Sequence, residues 1–353
     1  MTAITRTSTT PLASCIVPET ASVIVARHNL WQKGGQINCK TGSLIEMLDG
    51  SILSCWYGGS ECNVANDETE PTSLWLSTYR HGAWSEPRLL HTETGYHHWN
   101  PVFLQAKSGK IALFFRKFRA ETQEPLPLGV RVNREFSYYV MYSHDQGQTF
   151  TTPIQLPDGI TGPTKCAPFV LDDGTWIIPA SKNNQIYIER TSDEGTTWNR
   201  IGPIEGQMSE PCLIPRIIEG TFRILARNRQ TDSHERYLMS AYYNADDNFL
   251  SPAAPTEVPN PDSGIDACRL FDGRMLLVAN PHFSRRSPLS VFISYDDGLR
   301  WVKWLDLEVG DGDYSQPVVL QAKDGLVHVI YSVWPQKREE KNIKHVVLNV
   351  GFS

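Results

Sequence analysis

The chain has 353 residues, 40% of them hydrophobic and 10% aromatic, so it can build a large core, and its 10 Trp, 13 Tyr and 13 Phe favour strands over helices. Its net charge is −6 and no run of five or more Lys/Arg occurs, which argues against a nucleic-acid or anionic-membrane surface. Cysteines at 15, 39, 55, 62, 166, 212 and 268 form no CxxC pair and have no His at metal spacing; they read as mostly buried free thiols, with a Cys55–Cys62 bridge as the alternative.

The opening segment, Met1 to Thr20, is rich in Thr, Ser, Ala and Pro. It has neither a basic start followed by an apolar stretch nor the length to cross a bilayer, so a loose leader over residues 1–21 and a cytoplasmic location are expected. The segment Ser22 to Asn29 then reads as a strand.

Beyond it one pattern recurs: an apolar strand, a turn ending in Gly, and a second apolar strand. The turns end at Gly50, Gly109, Gly174, Gly220, Gly273 and Gly325, at intervals of 59, 65, 46, 53 and 52 residues. Gly supplies the positive φ of a tight hairpin, and a strand repeat of about fifty residues means propeller blades. The predicted fold is all-β, a six-bladed β-propeller occupying residues 22–353 as one domain. In its last blade Pro317 to Gln321, Leu326 to Val333 and Ile343 to Val350 leave an outer position vacant, which Ser22 to Asn29 is expected to fill.

A second marker, Ser/Thr-x-Asp-x-Gly-x-x-aromatic, appears at Ser143 to Phe150, Thr191 to Trp198 and Ser294 to Trp301, with worn copies at Asp246 to Phe249 and Ser77 to Trp84. Its Asp can accept backbone N–H bonds while its aromatic ring packs between sheets, so Asp145, Asp193 and Asp296 read as structural.

Three such Asp-boxes in a six-bladed array resemble the sialidase (neuraminidase) superfamily, in particular its BNR-repeat, sialidase-like members, over about Val23 to Gly351. The resemblance implies a Tyr nucleophile paired with a Glu, an acid/base Asp, and three Arg that clamp the substrate carboxylate. On that match Tyr314 in GDYSQP is the nucleophile, Glu210 in SEP its partner, Arg227 the second clamp, with Arg229 nearby, and Arg285 or Arg286 the third. Lys40 stands where the first clamp Arg belongs and lacks the planar fork that grips a carboxylate. The acid/base falls in YGGSECNVANDETE, with Asp67 preferred and Glu61 the alternative.

In a propeller the first strand of each blade lines the central channel, so residues seven to eleven positions before each hairpin Gly are expected to converge: Lys40, His98 with Asn100, Lys165, Glu210, Asp266, and Tyr314 with Gln316. Ionisable groups at buried strand ends are costly unless they bind something. His98, beside His97, is a second candidate acid/base.

The expected function is an exo-acting glycoside hydrolase for an acidic or deoxy sugar. The alternatives are a uronic-acid or rhamnose glycan hydrolase or lyase using His98 and Tyr314, and a non-catalytic glycan-binding propeller. The expected partner is a glycan or small glycoside. No phosphate-cradling Gly loop, HExxH or Cys/His cluster appears in the sequence, so no cofactor or metal is expected.

Overall fold

All six predicted hairpins form. The computed structural model describes residues 23–30, 39–59, 71–119, 135–230, 234–334 and 341–351, and among them the regular elements are β-strands, with no α-helix. They make six antiparallel sheets of four or five strands, the blades of a six-bladed β-propeller. The inner strands of blades 1 to 6 are Cys39–Glu46, Tyr96–Gln105, Phe169–Val170, Met208–Pro215, Asp266–Arg269 and Asp313–Gln321. The inner strand of blade 1 packs against those of blades 2 and 6, which closes the ring.

The hairpin glycines adopt φ between +71° and +94°, the left-handed region that a Cβ penalises. At Gly50, Gly109 and Gly174 nothing lies near a would-be Cβ, so backbone conformation, not crowding, requires glycine there.

Each blade is covered on both faces by its neighbours, so its strands lose the usual alternation: every residue of Ile52–Gly58 is buried. An apolar cluster fills each of the six seams. Leu53, Leu76 and Phe115 join blades 1 and 2, Phe114 and Trp176 join blades 2 and 3, and Val291, Val329 and Tyr331 join blades 5 and 6. Burying one such side chain contributes about 1.5–3 kcal/mol, so the ring is held by distributed packing rather than by cross-links. Among the described residues five cysteines are free thiols, four of them buried; Cys55 is one of them, against the bridged alternative, and Cys62 lies outside the described residues.

The segment Ile24–Asn29 pairs antiparallel with Asn342–Leu348 as the outer strand of blade 6. The vacant position is thus filled as expected.

The Asp-boxes are self-contained turns. Asp193 accepts the backbone N–H of Thr197 at 2.8 Å and the Thr191 hydroxyl at 2.8 Å; Asp296 does the same with Arg300 and Ser294. The hydroxyls of Thr149 and Thr197, together with their backbone N–H groups, hold Asp145 and Asp193 at pKa values of about 2. Phe150, Trp198 and Trp301 enter the seam toward the preceding blade. All three boxes follow the third strand of their blades, on the hairpin face and opposite the face where inner strands begin.

Candidate active site

The inner strands of blades 2, 4 and 6 share an irregularity. The ladder slips between Trp99 and Val102, between Ser209 and Cys212, and between Ser315 and Val318. Within each slip stands a residue followed by Pro: Asn100-Pro101, Glu210-Pro211 and Gln316-Pro317. Proline lacks the N–H that a regular ladder needs, so the strand bulges. The residue before it takes φ of +49°, +52° and +54° respectively, a conformation rare outside glycine and found where a side chain must be aimed.

Glu210 and Gln316 converge on blade 5. A Cβ on Gly264 would sit 2.7 Å from Gln316 Oε1 and 2.8 Å from Glu210 Oε2, so the absence of a side chain there makes room for both. Asn100 turns toward blade 3, donating from Nδ2 to Thr164 O at 2.7 Å.

Glu210 is 8% exposed. Its Oε2 accepts from Arg227 Nη1 at 3.0 Å, and Arg227 Nε donates to Asp262 Oδ1 at 2.6 Å. Burial alone pushes the Glu210 carboxyl up, but Arg227, Lys165 and Arg116 outweigh it and bring it to about 2. The group is a carboxylate at neutral pH.

Lys165 and Asp266 lie one step deeper. Lys165 Nζ donates to Ile265 O at 2.8 Å and Pro317 O at 2.6 Å, tying blade 3 to blades 5 and 6. Burial works against its charge, yet Cys166, Asp266 and Glu210 raise its pKa. Asp266 accepts the Val319 N–H at 2.8 Å and lies 3.3 Å from the Cys212 thiol. Both are architectural, not free to meet a ligand.

Of the remaining predicted residues, Arg286 joins the site and Arg285 does not. Arg286 donates to Asp262 O at 3.3 Å and lies 3.6 Å from Asp313, whereas Arg285 is exposed and bonds to His282. Lys40 lies over the Trp334 ring, 4.8 Å from its centroid, at the seam of blades 1 and 6. Glu61 and Asp67 lie outside the described residues.

Two placements differ from expectation. Tyr314 packs against the seam of blades 5 and 6, and its hydroxyl donates to Val309 O at 3.4 Å. Gln316 and Glu210 both approach Gly264, their side-chain oxygens 2.7 and 2.8 Å from where a Cβ there would stand. The extra residue of the bulge breaks the strand alternation, so Tyr314 and Gln316, two positions apart, no longer share a face. His98 does not line the funnel. It is fully buried in the seam of blades 1 and 2, its Nδ1 2.5 Å from Thr72 O and its ring beside Phe115. Burial, followed by smaller effects of Thr72 and His91, leaves its pKa at about 4.

Two side chains next to the Glu210–Arg227 pair escape the sequence reading. Asp262, at φ +60° in the Asn260–Ser263 turn, is the second partner of Arg227. Arg116 pairs across the ladder from Trp99 as Arg227 pairs from Ser209. The signal for Arg116 is its offset: Arg116 and Arg227 each stand seven positions after their hairpin glycine, Gly109 and Gly220. Arg116 feels Glu210 and Arg227 electrostatically and stacks on Phe136 at 4.4 Å; its Nε is enclosed with no hydrogen-bond partner among the described residues.

A sequence model of the BNR repeat-like domain matches residues 50–329. The chain belongs to that family. Among solved structures this BNR repeat-like protein is similar to a protein of unknown function from Dyadobacter fermentans, at 16% identity and TM-score 0.76 over 93% of this chain and 99% of the other. It is also similar to the NanB sialidase of Streptococcus pneumoniae, at 12% identity and TM-score 0.74 over 95% of this chain and 72% of the other. The intramolecular trans-sialidase of Ruminococcus gnavus matches at 12% identity and TM-score 0.71, over 94% and 99%. No curated protein matches the sequence. At these identities the likeness establishes a sialidase-like propeller fold; activity has to be argued from the site.

Proposed function

We propose that this BNR repeat-like protein is an exo-acting glycoside hydrolase that removes a terminal acidic or deoxy sugar at the mouth of its central channel. The observation that carries this reading is Arg116, a guanidinium with no ion pair among the described residues, placed beside the Glu210–Arg227 pair. Its enclosed Nε, unbonded among the described residues, and its half-buried charge beside a carboxylate suit a hydrogen-bonding ligand anion. Arg116, Arg227 and Arg286 would hold the acid group of the sugar.

In the hydrolytic step Glu210, ionised at neutral pH, accepts the proton of Tyr314 while the phenolic oxygen forms a bond to the anomeric carbon. The bond to the glycosidic oxygen breaks, and that oxygen takes a proton from Asp67 or Glu61. Water then gives a proton to that same carboxylate and attacks the anomeric carbon; the bond to Tyr314 breaks, its oxygen takes the proton back from Glu210, and the sugar is released. For the first attack Tyr314 would have to leave its bond to Val309 O and turn from the seam of blades 5 and 6 toward Glu210. A neutral nucleophile suits an anionic sugar, which would repel a carboxylate. The acid/base version built on His98 loses support from the burial of that ring.

One observation favours a second reading, a glycan-binding propeller without turnover: the side chain beside Glu210 is Gln316, which can bind a sugar but cannot attack one. Purified protein would be incubated with α-sialosides, rhamnosyl-uronates and unsaturated uronides, and released sugar followed by mass spectrometry. Release abolished by both Tyr314→Phe and Glu210→Gln supports the hydrolase. Binding without release from any glycan supports the second reading, and release that survives Tyr314→Phe removes the tyrosine mechanism.

A further inference from the structure

A second cluster lies away from the channel, in the seam of blades 1 and 2. His91 ends the strand Arg88–His91 of blade 1, Glu93 follows in the connection, and His98 stands on the inner strand of blade 2. One ligand atom from each lies within 4.8 Å of the other two. The His91 and His98 rings meet edge to face, with centroids 5.0 Å apart. The Nε2 atoms of both are enclosed and have no hydrogen-bond partner among the described residues. His98 is fully buried, so its orphaned nitrogen cannot turn to water.

The tautomer is fixed from behind. Thr72 O lies 2.5 Å from His98 Nδ1, and a carbonyl can only accept, so Nδ1 carries the proton and Nε2 presents its lone pair to the cluster. This is the arrangement that orients a metal-binding imidazole from its second nitrogen.

We propose that His91 Nε2, Glu93 and His98 Nε2 form a Zn²⁺ site that ties blade 1 to blade 2. Two imidazoles and one carboxylate suit Zn²⁺, with water as a fourth ligand, and suit Mg²⁺ or Ca²⁺ poorly because those ions take oxygen donors. Lys117 Nζ lies 2.6 Å from Glu93 Oε2 and holds the carboxylate in place. Its charge also rests on the rings of Tyr96 and Tyr139, at 4.6 and 4.4 Å, so it has other support when Glu93 turns an oxygen to the metal. The site is independent of the channel and of the chemistry proposed there.

Full-length protein stripped with a chelator and dialysed would be titrated with ZnCl₂ against a chromophoric competitor, with thermal unfolding followed alongside. One zinc per chain and a rise in Tm are expected. His91→Ala and Glu93→Gln should each weaken zinc binding by about tenfold or more and remove the rise in Tm, while His282→Ala, a change at an exposed turn, should alter neither. His91 and Glu93 are only partly buried, so these variants fold even where loss of the buried His98 ring does not permit it. Zinc binding of equal strength in wild type and both variants, an unchanged Tm on adding zinc, or the same rise with MgCl₂ would each overturn the assignment.

Discussion

His328 Nδ1 and His345 Nε2 lie 2.9 Å apart, their rings within 9° of parallel, in the seam where blade 6 meets blade 1. Trp84 Nε1 donates to His345 Nδ1 at 3.1 Å, so the proton of His345 sits on Nε2 and is donated to His328. The chain of donors runs from blade 1 into blade 6 and uses both imidazoles in their neutral form.

That arrangement predicts loss of stability in mild acid. Burial pushes His328 down to about 4, Asp324 opposing and His28 adding slightly; burial with His328 and His28 brings His345 to about 2. Both folded values lie below the ordinary 6.5, so the unfolded chain binds more protons. Stability is complete above about pH 6.5 and falls as pH drops from there toward 4, by up to about 1.4 kcal/mol per pH unit for each histidine. Urea unfolding at pH 7.5 and 5 measures the slope, and His328→Gln should flatten it.

Arg227 holds two carboxylates, Glu210 and Asp262, and all three groups are largely buried. Arg227→Met removes the ion-pair partner of Glu210 and leaves Asp262 with the more distant Arg229, at 3.7 Å, and is expected to cost about 3–5 kcal/mol. Adding Glu210→Gln should recover part of that loss. A double-mutant cycle by chemical denaturation reads the coupling directly.

Arg116 should behave differently. Having no ion pair among the described residues to lose, Arg116→Met is expected to lower Tm far less than Arg227→Met, giving up only its stacking on Phe136 and its electrostatic support of Glu210, while glycan affinity falls about tenfold or more. Arg116→Lys keeps the charge without the fork and should recover only a fraction of the affinity. Calorimetric titration with the best ligand from the panel separates the three proteins.

Gly264→Ala places a methyl group where Glu210 Oε2 and Gln316 Oε1 now come within 2.8 and 2.7 Å. Its backbone φ is outside the left-handed region, so the strain falls on those two side chains. Activity or binding should drop at least tenfold, with little change in far-UV circular dichroism.

Much of the architecture is legible in the sequence because each blade repeats a local constraint. A hairpin glycine is demanded by backbone φ and an Asp-box by its own hydrogen bonds, so Gly50 to Gly325 and Asp145 to Asp296 mark the blades without any knowledge of packing. Glu210 and Arg227 are legible for a related reason, since both lie at fixed distances from Gly220. Tyr314 and His98 are placed less well because side-chain direction there depends on a proline bulge, and one added residue reverses the face. Asp262 leaves no mark in sequence: its approach to Arg227 is made by the packing of blade 5 on blade 4.

Blade 6 is built from the strands at the two extremes of the described chain, with Arg27 beside Val346. During synthesis Ile24–Asn29 must therefore wait, an unpaired edge, until five blades and three further strands have emerged. The ring is locked last and from both ends at once. By the same token Val23 and Asn349 are neighbours in space, the Asn349 N–H donating to Val23 O at 2.8 Å, so joining the chain at these two residues and cutting it at a hairpin such as Gly220 should yield a propeller with the same channel and a different order of assembly.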